Sequence, residues 1–212
     1  MNKRKFLFAF LVSAFVFANA HEGQPRFNFG ISANIGSNYH HYTAGAVDGK
    51  TTTSFGAGLL TQLNFGFFAI RPEVHYDRIR GRHPNGLIAT NNITVPLSLV
   101  FQTIDHSMGF PIGSDIFIGG FYSHRFSGTQ GGDPLNFGDV VYTPDAMYPL
   151  RETFHRDEFG ITWGLGIRIG PVMFGYTNRT ALTDFTQQTS DIGGRPAHIR
   201  NRTNYFTMTF MF

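Results

Sequence analysis

Eight ionisable side chains stand at alternate positions of apolar stretches: Arg26, Arg71, Glu73, His75, Asp77, Arg125, Arg168 and Arg179. Two kinds of chemistry suit them. His75 and Asp77 lie two apart on one strand face and form an acid–base couple of the sort that activates a serine in hydrolases and acyltransferases. No serine is fixed beside them by a motif, and such triads are defined by geometry rather than spacing. The other chemistry is electrostatic. Charges converging in a narrow, poorly hydrated space are costly alone and must pair. Such a cluster serves either as a charged gate for small solutes or as an ion-paired plug, and a narrow interior favours the plug. His40-His41, His83 and His21 add imidazoles, but a metal needs more ligands in defined geometry than a histidine pair offers. They read as solvated loop residues. Gly164-x-Gly166 alternates within a strand pattern and precedes no helix, so it is no phosphate loop. The expectation is therefore no catalytic residue, no cofactor and no metal.

Strands must position these groups. Alternation of period 2 marks eight segments: Arg26–Ile35, Ser54–Leu63, Phe68–Arg78, Asn92–Gln102, Asp115–Phe126, Glu158–Ile169, Val172–Ala181 and Asn204–Phe212. In the sixth, Phe159, Ile161, Trp163, Leu165, Ile167 and Ile169 share one face against Gly160, Thr162, Gly164, Gly166 and Arg168. The fifth is less regular, because Phe117 and Phe121 fall on the polar face. In the last, Phe206, Met208, Phe210 and Phe212 share an apolar face, and the strand ends on an aromatic. A soluble sandwich leaves such an edge prone to aggregation, whereas a closed barrel in lipid removes it. The strand should pair with Arg26–Ile35; its resemblance to the terminal strands of outer-membrane barrels as a class implies that it also acts as the assembly strand read by the barrel insertion machinery.

Most segments run about 9–13 residues, the length a tilted strand needs to cross a bilayer. Apolar faces outward and Gly, Thr, Ser and charged faces inward is the reverse of a soluble barrel. Connections alternate between short and long, as short periplasmic turns and long extracellular loops do. The connection Thr103–Ser114 is too long for that rhythm. Pro72 and Pro96 interrupt the third and fourth segments, and a bulge is expected at each. Trp163, Tyr176, Tyr76 and Phe212 are candidates for interfacial girdles. The loop Ser127–His155, with Tyr142, Tyr148 and Phe154, either contacts a partner or folds over the barrel mouth.

Residues 1–20 carry Lys3, Arg4 and Lys5, an apolar run Phe6–Phe17, and Ala18-Asn19-Ala20, the layout of a cleavable signal peptide. The barrel domain is then 21–212. The 17 basic residues exceed the 14 acidic ones only through those three leading residues, so the high isoelectric point is no argument for nucleic acid. There is no Cys, hence no disulfide and no lipid-modified cysteine. Lys50 is the lone lysine after the leader, and Arg is the better partner for confined ion pairs.

The leader, ITVPLSLVF (Ile93–Phe101), DIFIGGFYSHRFSG (Asp115–Gly128), DEFGITWGLGIRIG (Asp157–Gly170) followed by VMFGYTNRTALTDF, and the aromatic terminus together resemble the PorT-like outer-membrane β-barrel family of Bacteroidota. The resemblance implies an eight-stranded antiparallel up-and-down transmembrane β-barrel in the cell outer membrane. A founding member is linked to type IX secretion and gliding, and the family has no established catalytic residues. The role it implies is structural or protein-interacting, as an accessory to secretion or surface assembly, with outer-membrane lipid around it, a protein partner at the extracellular loops and no nucleic acid. The alternative is a small outer-membrane pore for solutes.

Overall fold

Eight long strands form a closed antiparallel ring. They are β1 (Arg26–Tyr42), β2 (Thr52–Phe65), β3 (Phe68–His83), β4 (Gly86–Asp105), β5 (Ile112–Gln130), β6 (Asp157–Ile169), β7 (Val172–Ala181) and β8 (Ile199–Met211). The computed structural model describes residues 26–42, 51–65, 67–83, 86–105, 112–135, 137, 154–185, 190–191, 196–197 and 199–212. Each strand pairs with its neighbours in sequence, and β1 pairs with β8 to close the ring. The closing ladder sets Gly30 against Met211 and Ile35 against Phe206. Two short ladders decorate it: Asp133–Pro134 folds back on β5, and Ser190–Asp191 pairs with Pro196–Ala197.

Closure fixes the tilt. Starting from Arg78 on β3, the paired positions run Phe55, Ile35, Phe206, Tyr176, Leu165, Ile116, Phe101 and back to β3 at Phe68. The circuit returns displaced by 10 residues. Eight strands about 4.8 Å apart with that stagger, at about 3.3 Å per residue, tilt by about 40°. The circuit also explains the outer surface, since every residue between its ends is apolar.

That outer surface is the inverse of a soluble protein's. Phe206 is 71% exposed, Ile116 66% and Ile35 61%, and the apolar partners in the other strands are exposed with them. Alternate positions are buried and largely polar: Ser32, Asn34, Asp77, Asn92, Thr94, Ser98, Ser123 and Thr162. A belt of this kind is stable against hydrocarbon, where all backbone groups are satisfied within a closed ring. Among the described residues no helix is long and apolar enough to cross a membrane.

Aromatic residues bound the belt at both ends. At the end holding the short turns, Phe29 stacks on Phe212 at 5.8 Å, Phe210 packs on Phe212 at 5.1 Å, and Phe65 stacks on Phe68 at 5.2 Å. Toward the other end, tyrosine hydroxyls reach polar partners on the outer face. Tyr76 donates to Asn91 at 2.9 Å, Tyr122 to Asp157 at 2.6 Å, and Tyr176 to Asn204 at 2.8 Å. Trp163 packs against Tyr176 at 5.9 Å. Tyr rings with one wet end suit an interface, and all-carbon Phe rings cap the hydrocarbon at the other.

Three local expectations are corrected. The strands are longer than the alternating segments: β4 has 20 residues and β5 has 19. Half of the connection read as Thr103–Ser114 is strand, because Gln102–Asp105 pairs with Ile112–Asp115; residues 106–111 lie outside the described residues. Likewise, β3 and β4 continue beyond the segments Phe68–Arg78 and Asn92–Gln102 as a ladder out to His83↔Gly86. No bulge occurs at Pro72 or Pro96. Leu60↔Glu73 and Leu63↔Ile70 keep one register across Pro72, and Val95↔Tyr122 and Leu97↔Gly120 keep one across Pro96. Each proline forfeits a ladder donor without adding a residue. The register shift lies instead on β4–β5 at Asn91/Asn92. Gly170, with φ 59°, makes the tight β6–β7 turn in a backbone region that a Cβ disfavours.

Candidate functional site: the ion-paired lumen

The inward faces of β3, β5, β6 and β7 bring the charged residues together. Arg71 is the centre of the lower group. Its Nε donates to Glu73 at 3.1 Å and its Nη1 to Asp115 at 2.9 Å. Glu73 also meets His75 Nε2 at 2.6 Å, and the Nδ1 of His75 lies 3.0 Å from Asn34 Nδ2. Higher on β3, Asp77 accepts from Arg179 of β7 at 2.7 Å. Highest of all, Arg125 pairs with Glu158 and donates to the carbonyl of His155 at 2.8 Å. Asn201 donates to the same Glu158 carboxylate at 2.7 Å. Side chains of Arg125 and Asp77 are fully buried.

Each of these three arginines also lies over an aromatic ring. Arg71 is 4.4 Å from the centroid of Phe117, Arg125 4.6 Å from Phe185, and Arg179 5.3 Å from Tyr205. A guanidinium uses its edge for carboxylates and its face for a ring at the same time, which an ammonium does less well. The pattern accounts for the preference for Arg over Lys and for Phe117 on the inner face of β5.

Phe117 and Phe121 point inward, 6% exposed each, because the opposing strand makes room. Phe117 is paired with Gly164 and Phe121 with Gly160. A Cβ at Gly160 or Gly164 would run into those rings. The glycine-rich face of β6 is therefore the packing partner of two inward phenylalanines.

The loop end is capped. Phe154, Phe185 and Ile88 form a buried apolar cluster with Leu135 and Phe137 packed against it. Phe154 and Phe185 rings are 5.2 Å apart, and His155 N–H donates to the Phe185 carbonyl at 3.1 Å. Phe154 thus packs at the mouth; residues 138–153, Tyr142 and Tyr148 among them, lie outside the described residues. His40, expected in solvent, is 2% exposed, with its ring 4.9 Å from Phe185, because β1 runs on past the belt and turns this position inward. The side chains of His41 and His83, and all of His21, lie outside the described residues.

Among and below the plug side chains the described spaces are small. One space beside Arg71, Glu73, His75 and Arg179 holds about 20 Å³, and another beside Asp115 and Arg168 about 10 Å³. A water needs at least about 10–15 Å³ on this measure, so each accommodates a single molecule.

Of the eight sequence candidates, Arg71, Glu73, His75, Asp77, Arg125 and Arg179 fall into this network. Arg168 lies at the turn end, half-buried, donating to the carbonyl of Gly170 at 3.2 Å. The side chain of Arg26 lies outside the described residues, as does the leader 1–20. Sequence reasoning missed two anions, Asp115 and Glu158. Both share the parity of inward neighbours, Phe117 and Gly160, and strict alternation would have found them. Among the described residues the lumen carries Arg71, Arg125, Arg168 and Arg179 against Glu73, Asp77, Asp115 and Glu158, a balanced set. His75 and Asp77 do not bond to one another: His75 serves Glu73, and Asp77 serves Arg179. No group of three or more metal-ligating side chains occurs among the described residues. The apolar face of Phe206, Met208, Phe210 and Phe212 looks outward along β8.

No family model and no curated protein matches the chain. Solved structures of similar outline do exist. Neisserial surface protein A is 11% identical, covering 87% of this chain and 97% of its own, with a TM-score of 0.48. Ail, the attachment invasion locus protein of Yersinia pestis, solved with the heparin analogue sucrose octasulfate, is 10% identical, covering 88% and 99%, at 0.43. The outer membrane protein OprG from Pseudomonas aeruginosa is 12% identical, covering 90% and 98%, at 0.45. These are likenesses of outline, and nothing about location, ligand or activity passes across them.

Proposed function

We propose that the chain is an outer-membrane β-barrel with a structural or protein-interaction role and a closed lumen. The observation that carries this reading is the filling of the interior. Three arginines are each held by a carboxylate and an aromatic face, and an apolar cap sits above them. A conducting pore needs a wide, continuous wet path, and the described spaces among these side chains hold about 20 and 10 Å³, room for single waters. The outward apolar belt, bounded by Phe at one end and Tyr at the other, supports residence in a bilayer. An export leader supports the outer membrane, with the short turns on the periplasmic side.

The resemblance to PorT-like barrels supports the finer reading, an accessory of type IX secretion or surface assembly. A barrel with a filled lumen acts through what it touches, and loops on a rigid scaffold are where binding sits. Chemical crosslinking in intact cells followed by capture of the barrel tests the role. Recovery of secretion or assembly components is expected. A barrel crosslinked only to itself would sink the interaction role. Appearance of the protein in the supernatant of carbonate-washed membranes would overturn the membrane assignment.

A further inference from the structure

The outward face of β3 carries two arginines at its loop end. Arg78 and Arg80 alternate with buried Asp77 and Ile79, so both point away from the lumen. Alternate residues on one strand are about 6.6 Å apart, which lets two side chains of this length meet one small anion. Arg78 is the ladder partner of exposed Phe55 on β2, and the Arg80 guanidinium lies 5.9 Å from the centroid of that same ring. Arg80 therefore leans back along the strand toward the level of Arg78.

No carboxylate neutralises this pair among the described residues. The ion pairs there use Arg71, His75, His124, Arg125, Arg179 and Arg200. On β4 the ladder partners are neutral, Asn91 opposite Arg78 and Ala89 opposite Arg80. Asn91 is already engaged, accepting from Tyr76 at 2.9 Å and donating to Ser127 at 2.8 Å. The outward carboxylate Asp157 stands three strands away on β6 and accepts from Tyr122 and His124. The Nε of Arg78 is shielded from solvent and has no hydrogen-bond partner among the described residues. A shielded donor without an acceptor is costly, and an anion arriving beside it removes that cost.

Register sets the depth of the pair. Phe68, in the phenylalanine girdle at the turn end, begins the strand on which Arg78 stands ten residues later. At about 3.3 Å per residue and a tilt of about 40°, Arg78 sits about 25 Å above Phe68, the height of the apolar band of an outer-membrane barrel. Arg80 is about 5 Å further out. Both stand where hydrocarbon gives way to headgroups, and the anion met at that depth in a bilayer is a lipid phosphate.

We propose that Arg78 and Arg80 clasp the phosphate of one outer-leaflet lipid. Guanidinium forks meet phosphate oxygens bidentately, and two forks from one strand face share a single group. The inference rests on the outer-membrane reading above, which sets the loop end in the outer leaflet.

The test is native mass spectrometry of the folded barrel with bis-phosphorylated lipid A and with the same lipid stripped of its phosphates. The phosphorylated form should be retained at least about tenfold better, as expected if each of two arginines near an anionic headgroup contributes about fivefold. Arg78→Gln/Arg80→Gln should lose that advantage. Ala89→Asp, which leaves both arginines and sets a carboxylate opposite Arg80, should lose it too. Arg202→Gln, which removes an outward arginine three strands round the ring on β8, should keep it. Equal retention by wild type and the double variant, indifference to Ala89→Asp, an equal loss in Arg202→Gln, or displacement by equimolar inorganic phosphate would overturn the proposal. Heat-modified gel mobility establishes that each variant is folded. Carbonate washing separates the two readings: a double variant that loses the lipid and stays in the membrane bears on this pair alone, whereas wild type in the supernatant sinks the outer-membrane reading.

Discussion

Asp77 and Arg179 offer a direct perturbation of the lumen. They are 102 residues apart in sequence, stand on β3 and β7, and meet across the interior at 2.7 Å. Asp77 is wholly buried and Arg179 nearly so. Asp77→Asn keeps the volume and removes the charge that balances Arg179. Breaking one side of a buried pair costs about 3–5 kcal/mol. With a urea slope of about 2 kcal/mol/M, the unfolding midpoint should fall by about 2 M. The single tryptophan, Trp163, lies on the lipid-facing surface, so its fluorescence reports loss of the bilayer environment. The double variant Asp77→Leu/Arg179→Met should recover most of the loss, because apolar replacement of both members is often neutral. A midpoint for Asp77→Asn within about 0.3 M of wild type, under 1 kcal/mol at that slope, would refute the claim that the pair is desolvated.

Other substitutions probe the remaining parts. Gly164→Val places branched carbons against the Phe117 ring and the Tyr176 carbonyl, and should cost about 1–3 kcal/mol or more in urea unfolding; adding Phe117→Ala should return part of it. Phe185→Ala removes the ring under Arg125 and opens the cap, with an expected loss of about 3–5 kcal/mol by the same unfolding assay, whereas an exposed loop aromatic would lose under about 0.5 kcal/mol. Deleting Phe212, which stacks on Phe29 across the closing seam, should lower the fraction of protein reaching the heat-modifiable folded form in membranes.

Much of the fold is written in parity. Wherever one face of a strand meets lipid and the other meets the lumen, period 2 alone assigns both, as for Ile35 and Phe206, which share the outer face. Parity fails as a guide where hydrophobicity is used on both faces. Phe117 and Phe121 look wrong in isolation and make sense only against Gly164 and Gly160 on the next strand, a relation set by register and not by local sequence. Strand ends past the belt are equally hard to read. There Arg80, Gly81, Arg82 and His83 carry the composition of a loop, yet the ladder continues through them because β4 offers backbone partners. Asp115 and Glu158 stand at strand starts, where alternation is short, yet they supply two of the four lumen carboxylates among the described residues. The prolines misled for a different reason: a missing donor opens a ladder locally, whereas a bulge requires an additional residue. Finally, no alternation marks Phe154 and Phe185 as a cap. Their burial comes from chain segments far apart in sequence folding over one mouth.

Planar-bilayer recording on the purified wild-type barrel tests the account most directly. A lumen filled by Arg71, Arg125 and Arg179 with their carboxylates and rings, and closed above by Phe154 and Phe185, should add no discrete current steps to the membrane baseline. Reproducible, long-lived openings with a linear current–voltage relation would contradict it, because ions would then be crossing where the structure leaves space for single waters.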